Sequence, residues 1–164
     1  SPGPAAWRPI LVYLFAYVLM NGGALALVSL LYAKPGEQHA IAALSGWGNR
    51  MPLLAGCLAV CMLSLGGLPP TAGFIGKYLI FLHAIQHGDL ALALVGILAS
   101  LIGIVFYLRV IYILFMRDEI AAPAGLRLDL GGRTAALISA AGILALGLFP
   151  GPFLDWVESV VSGP

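Results

Sequence analysis

Between Arg50 and Asp89 the chain carries one fixed charge, Lys77, and near the middle of that run two prolines, Pro69 and Pro70, stand side by side. A continuous helix over Pro52–His87 would be about 54 Å long at 1.5 Å per residue. The hydrocarbon core of a bilayer is only about 30 Å thick, and tilt does not absorb such a difference. The prolines remove two amide donors and clash with the preceding turn, while Gly66, Gly67, Gly73 and Gly76 relax the backbone around them. Unwound backbone at membrane depth survives only where protein or a water-filled cavity satisfies its polar groups. The run therefore reads as one transmembrane helix, Pro52–His87, broken within Gly66–Ala72. Lys77 lies just past the break.

Composition agrees with a membrane setting. Apolar residues make up 61% of the 164, charged residues 9%, and the mean hydropathy is +1.02, outside the range of water-soluble domains. The net charge of +1 says nothing about a nucleic-acid partner, but the sequence has no basic cluster of the required density, so none is expected. The opening Ser1-Pro2-Gly3-Pro4 has neither a methionine nor a basic leader, so the chain is expected to be a segment of something longer.

Three further apolar runs flank the broken one. Pro9–Ala33 forms a first span between Arg8 and Lys34, with Asn21-Gly22-Gly23 at its centre. An asparagine in hydrocarbon usually bonds to another helix, which the glycines let approach; the other reading makes Asn21 part of a proton path. Lys34–His39 is turn chemistry, and Ala40–Trp47 reads as an interfacial piece with Trp47 at headgroup level. Leu90–Met116 forms a third span with a small-residue seam at Gly96, Ser100 and Gly103. Within it, Arg109 either snorkels toward the Arg117 end or enters an internal ion pair. Charged residues from Arg117 to Arg133 place that loop in water, and Thr134–Leu154 forms a fourth span with Ala141 and Ala145 as a packing pair. Pro150-Gly151-Pro152 should end it near the interface. The fold class expected is all-α and integral to the membrane, with four transmembrane helices, the second broken.

The loop charges orient these spans. With four crossings, Arg8 lies on one side and Lys34, Arg50, Arg117, Arg127 and Arg133 on the other, one against five. Basic residues accumulate in the cytoplasm, so loops 34–51 and 117–133 are expected there and the carboxy terminus outside it. Letting each half of the broken stretch cross separately weakens the bias to four against two. Each half would also be only about 20 Å long, too short to span.

Several arrangements are readily set aside. Cys57 and Cys61 lie one helical turn apart in an apolar run and are too few for zinc, so they read as small core residues. His83 and His87 share a face without a third ligand and sit beside Asp89, where water should begin. No phosphate loop, nucleophile triad or metal site is expected, and no catalysis from this segment alone. Lys77 remains. Desolvation favours a neutral amine, so a lysine held away from water can take up and release a proton near neutral pH. If the helix ended at Lys77 instead, the ammonium would simply reach the headgroups.

The stretch Leu63-Ser64-Leu65-Gly66-Gly67-Leu68-Pro69-Pro70-Thr71-Ala72-Gly73-Phe74-Ile75-Gly76-Lys77-Tyr78 closely resembles the broken helix of the antiporter-like, proton-translocating membrane subunits of respiratory complex I. Its Gly76-Lys77-Tyr78 ending is most similar to the subunit N branch of NADH-quinone oxidoreductase. Sister subunits L and M and the cation/proton antiporter subunits tend to carry an adjacent acid or a glutamate there. Tyr107-Leu108-Arg109-Val110 and Leu146-Gly147-Leu148-Phe149-Pro150-Gly151-Pro152 also look like that branch. The resemblance implies a carboxy-terminal part of a larger helical bundle in the bacterial inner membrane, with Lys77 matching the family's distal proton-path lysine. It implies proton translocation coupled to quinone reduction elsewhere, in company with other membrane-arm subunits and the amino-terminal remainder of the same subunit. FMN, iron–sulfur clusters and quinone would belong to other subunits, and this chain would hold no cofactor or metal. The alternatives are an antiporter or membrane-bound hydrogenase subunit of the same fold, or a non-catalytic assembly scaffold with Lys77 as a packed charge.

Overall fold

A computed structural model describes residues 7–29, 44–117 and 130–162, and these form seven helices with no strand among them. They are α1 (Trp7–Ser29), α2 (Trp47–Arg50), α3 (Pro52–Gly66), α4 (Ala72–Gln86), α5 (Leu90–Met116), α6 (Leu130–Leu148) and α7 (Pro150–Ser162). By length and hydropathy, α1, α5 and α6 are each able to cross a membrane. With α3 and α4 at 15 residues apiece, each measures only about 22 Å. The protein is an all-helical, multi-pass membrane protein.

Helix α1 is the axis. It packs against α3, α4, α6 and α7, while α5 leans on α3 and α4 along one edge. The largest fully buried side chains are Met20 and Leu27 of α1, Leu58, Cys61 and Ser64 of α3, Leu114 of α5 and Ile143 of α6. Lipid supplies no hydrophobic drive for apolar helices to associate, so close backbone approach does the work. A Cβ on Gly23 would stand 2.6 Å from Cβ of Ser139 and 2.9 Å from Sγ of Cys61, which joins α1, α3 and α6 at one point. Gly76 of α4 lies against Tyr13 of α1, where a Cβ would stand 3.1 Å from Cα.

The structure departs from the sequence expectations in five places. Asn21 does not bridge to a neighbour; its Nδ2 donates to the Tyr17 carbonyl of its own helix at 3.0 Å. Trp47 is no headgroup anchor, being 3% exposed within the core. Its neighbour Gly48 explains why, because a Cβ there would overlap the Phe115 ring and lie 3.1 Å from the Leu114 carbonyl, so α5 closes over this corner. Of the seam on α5, Gly96 alone meets another helix closely, with Phe81 of α4 over it, while Gly103 touches only Tyr107 of its own helix. Ala141 and Ala145 are exposed, and α6 turns Ala136, Ser139, Ala140 and Ile143 inward instead.

The last departure is at the carboxy end. Helix α6 starts at Leu130, so Arg133 is helical, and it does not run on through Pro150. Phe149 N–H still donates to the Ala145 carbonyl at 2.9 Å. Pro150 then opens α7 as its first residue, where a missing N–H costs nothing. Helix α7 lies antiparallel to the start of α1, with Phe153 against Phe15 (centroids 4.9 Å apart) and Glu158 paired with Arg8 at 3.1 Å. The Lys34–His39 turn, residues 40–43 of the interfacial piece, and residues 118–129 of the second loop lie outside the described residues.

Candidate functional site

Helix α3 ends in a glycine cap. Gly67 has φ +78°, a left-handed conformation that costs a glycine nothing. Its N–H donates to the Ser64 carbonyl at 2.9 Å, and Leu68 N–H donates to the Leu63 carbonyl at 3.0 Å. This double closure is the Schellman arrangement, and it leaves the carbonyl of Leu65 open. The chain then passes through Pro69 and Pro70, which have no N–H to satisfy; the peptide bond between them is cis.

Helix α4 begins after Thr71. The Thr71 hydroxyl makes no capping bond to α4 and donates instead to the Leu68 carbonyl at 2.7 Å. The free amides of the new helix are met from elsewhere. Phe74 and Ile75 donate to the Thr71 carbonyl at 3.1 and 3.3 Å. Gly73 N–H donates to Oγ of Ser64, in the last turn of α3, at 3.0 Å. A Cβ on Gly73 would overlap the Ser64 carbonyl, and one on Gly147 of α6 would overlap the Pro70 carbonyl and Thr71. Ser64, Gly73 and Gly147 thus press the two sides of the break against neighbouring backbone, while Pro69 and Pro70 stand exposed between them.

One turn past Gly73, Lys77 folds back. Its Nζ donates to the open Leu65 carbonyl at 2.9 Å, and its alkyl chain crosses Gly67, where a Cβ would stand 2.9 Å from Cδ. The carboxy end of a helix carries the negative pole of its aligned peptide dipoles, so the last carbonyls of α3 favour an ammonium. No carboxylate lies within ion-pair distance of Lys77 among the described residues. The half-buried side chain borders a groove of about 450 Å³ between α4 and α5, walled by Phe74, Phe81, Ile97 and Ile104, with Tyr78 and Ser100 also on its lining. Chemically, the site holds one titratable amine on a helix end, beside an apolar groove.

Of the residues singled out in the sequence, Gly66, Gly67, Pro69, Pro70, Gly73 and Lys77 come together here. Asn21 bonds within α1, and Arg109 lies exposed on α5 without an ion-pair partner among the described residues. His83 and His87 face each other at 4.0 Å between ring centroids at the end of α4, and no group of three metal-binding side chains occurs among the described residues. Two partners escaped the sequence reading: Ser64 and the Leu65 carbonyl. Ser64 stood in the motif, but a serine in an apolar helix normally bonds its own backbone, and spacing alone does not point it at a second helix.

Comparison with known proteins gives a consistent setting. The sequence model of the family described as NADH:quinone oxidoreductase/Mrp antiporter, TM, matches residues 3–103. NADH-quinone oxidoreductase subunit N of Myxococcus xanthus is 40% identical over 161 residues, covering 96% of this chain and 31% of the relative. A subunit N of Solidesulfovibrio magneticus is 41% identical over 155 residues, covering 93% of this chain and 34% of the relative. The chain therefore spans about a third of the length of the curated relatives it matches. Among solved structures, a chain of Thermus thermophilus respiratory complex I with bound aureothin superposes with a TM-score of 0.76 at 34% identity, over 90% of this chain and 34% of that one. A chain of the Mrp complex from Dietzia superposes with a TM-score of 0.82 at 20% identity over 98% of this chain, a likeness of fold.

Proposed function

Because this chain belongs to the NADH:quinone oxidoreductase/Mrp antiporter transmembrane family, we propose that it is the carboxy-terminal part of a subunit N and works in proton translocation by the membrane arm of an NADH:quinone oxidoreductase. The observation that carries this reading is the Lys77 ammonium seated on the open Leu65 carbonyl inside a broken helix. The bond is charge-assisted while Lys77 is protonated and weaker once it is neutral. Gain or loss of a proton therefore changes how firmly α4 is held to α3. A change of charge in a neighbouring subunit, driven by quinone reduction elsewhere, can bias that equilibrium through the apolar groove, where screening is weak.

In this reading α3 and α4 together make one broken crossing, so that α1, α3–α4, α5 and α6 are four spans. The basic loops face the cytoplasm of a bacterial inner membrane and α7 lies toward the opposite side. Partners are other membrane-arm subunits and the amino-terminal remainder of the same subunit. FMN, iron–sulfur clusters and quinone are held by those other subunits and none by this chain. Identities of 40% and 41% to subunit N relatives favour this reading over an antiporter, for which the support is a 20% likeness of fold.

Substitution of Lys77 in the complete, assembled complex tests it. Lys77→Ala is expected to lower proton pumping and coupled NADH:quinone activity while complex abundance holds. Lys77→Arg is expected to impair both as well, because a guanidinium does not release its proton. Full coupled activity in Lys77→Arg would instead mark a structural charge.

A further inference from the structure

Two hydrogen bonds cross the break as parallel rungs. Ser64 and Leu65 are consecutive on α3, whereas Gly73 and Lys77 are one turn apart on the same face of α4. The lower rung joins Gly73 N–H to Ser64 Oγ at 3.0 Å, and the upper joins Lys77 Nζ to the Leu65 carbonyl at 2.9 Å. Ser64 is fully buried, and the contact beneath it is backbone on backbone, since a Cβ on Gly73 would overlap the Ser64 carbonyl. Thr71, the residue placed to cap α4, has its hydroxyl committed to Leu68.

We propose that Ser64 is a positioning residue for Lys77, its hydroxyl pinning the first turn of α4 against the last turn of α3 so that the Leu65 carbonyl stays within reach of the ammonium. The proposal rests on the proton-translocating role of Lys77. Without the hydroxyl, Gly73 N–H is left unsatisfied in a buried site, which costs more than the bond itself contributes. The first turn of α4 must shift to find another acceptor, and Lys77 moves with it.

A double-mutant cycle in the complete, assembled complex tests this, with proton pumping, coupled NADH:quinone activity and complex abundance measured together. Ser64→Ala is expected to lower pumping by roughly 5-fold or more, the population change that follows leaving one buried amide unsatisfied, with abundance unchanged. In a Lys77→Ala background the same substitution should cause no further loss, because Ser64 acts through Lys77. Multiplicative losses in the double variant, or wild-type pumping in Ser64→Ala, overturn the proposal. If Ser64→Ala does not assemble, Ser64→Cys carries the same cycle, filling the site with a somewhat larger thiol that offers only a weak acceptor. Undiminished pumping in Ser64→Cys then overturns it. Unimpaired pumping in Lys77→Ala is a separate outcome and removes the role of Lys77 itself.

Discussion

Gly73 decides how closely the two half-helices meet, since the place of its absent side chain is occupied by the Ser64 carbonyl. Gly73→Ala must push α4 away from α3, at a cost of about 1–3 kcal/mol for overpacking. Gly22 of α1, next to the tightly packed Gly23 but on another side of the helix, has open space at its own Cβ position. Gly22→Ala is expected to be neutral or to stabilise by about 0.5–1 kcal/mol through helix propensity. Thermal midpoints of the purified, assembled complex should therefore separate these two substitutions, with Gly73→Ala the lower. Equal midpoints would mean that the half-helices are not held by this contact. At this scale the sequence was half legible. Lys77 declared itself as a lone charge in an apolar run, whereas Ser64 did not, because a buried serine shows its partner only once two helices are placed. Trp47 misled for a related reason: the aromatic-belt tendency describes lipid-facing tryptophans, and Gly48 lets α5 cover this one.

Helix ends follow local chemistry, and there the sequence was most readable. Pro52 opens α3, Gly67 closes it, and the Pro69-Pro70 pair separates it from α4. The joint between α6 and α7 was less legible, since Pro150 serves equally to end a helix or to begin one. Docking of α7 on α1 was beyond reach, because it depends on where α1 lies. Two contacts hold that docking, and they should differ in weight. The Arg8–Glu158 pair has side chains 36% and 60% exposed, and pairs of that kind contribute about 0–1 kcal/mol. The Phe15–Phe153 contact joins apolar area to ring geometry, itself worth about 0.5–1.5 kcal/mol. Phe153→Ala is thus expected to lower the thermal midpoint of the complex clearly more than Arg8→Gln, and the reverse order would assign the docking of α7 to charge.

The molecule as a whole is asymmetric in its loops, and that asymmetry can be read from outside a cell. Cysteine placed at Ser159 in α7 should react with an impermeant thiol reagent in intact cells, and cysteine at Gly125 only after permeabilisation. Native Cys57 and Cys61 are 6% and 0% exposed, so background labelling should be low. Reaction of the Gly125 variant in intact cells would invert the orientation. The way the helices are joined has a thermal consequence too. Gly23, Gly73, Gly76 and Gly147 bring α1, α3, α4 and α6 together through backbone and small side chains. When such helices part inside a bilayer, the surfaces they release meet lipid rather than water. The heat-capacity increment of about 12–15 cal/mol/K per residue that accompanies exposure to water in soluble domains therefore has no counterpart here. Cohesion of this bundle should decline almost linearly with temperature, without the stability maximum near room temperature and the cold-side loss that hydration imposes on proteins folded in water.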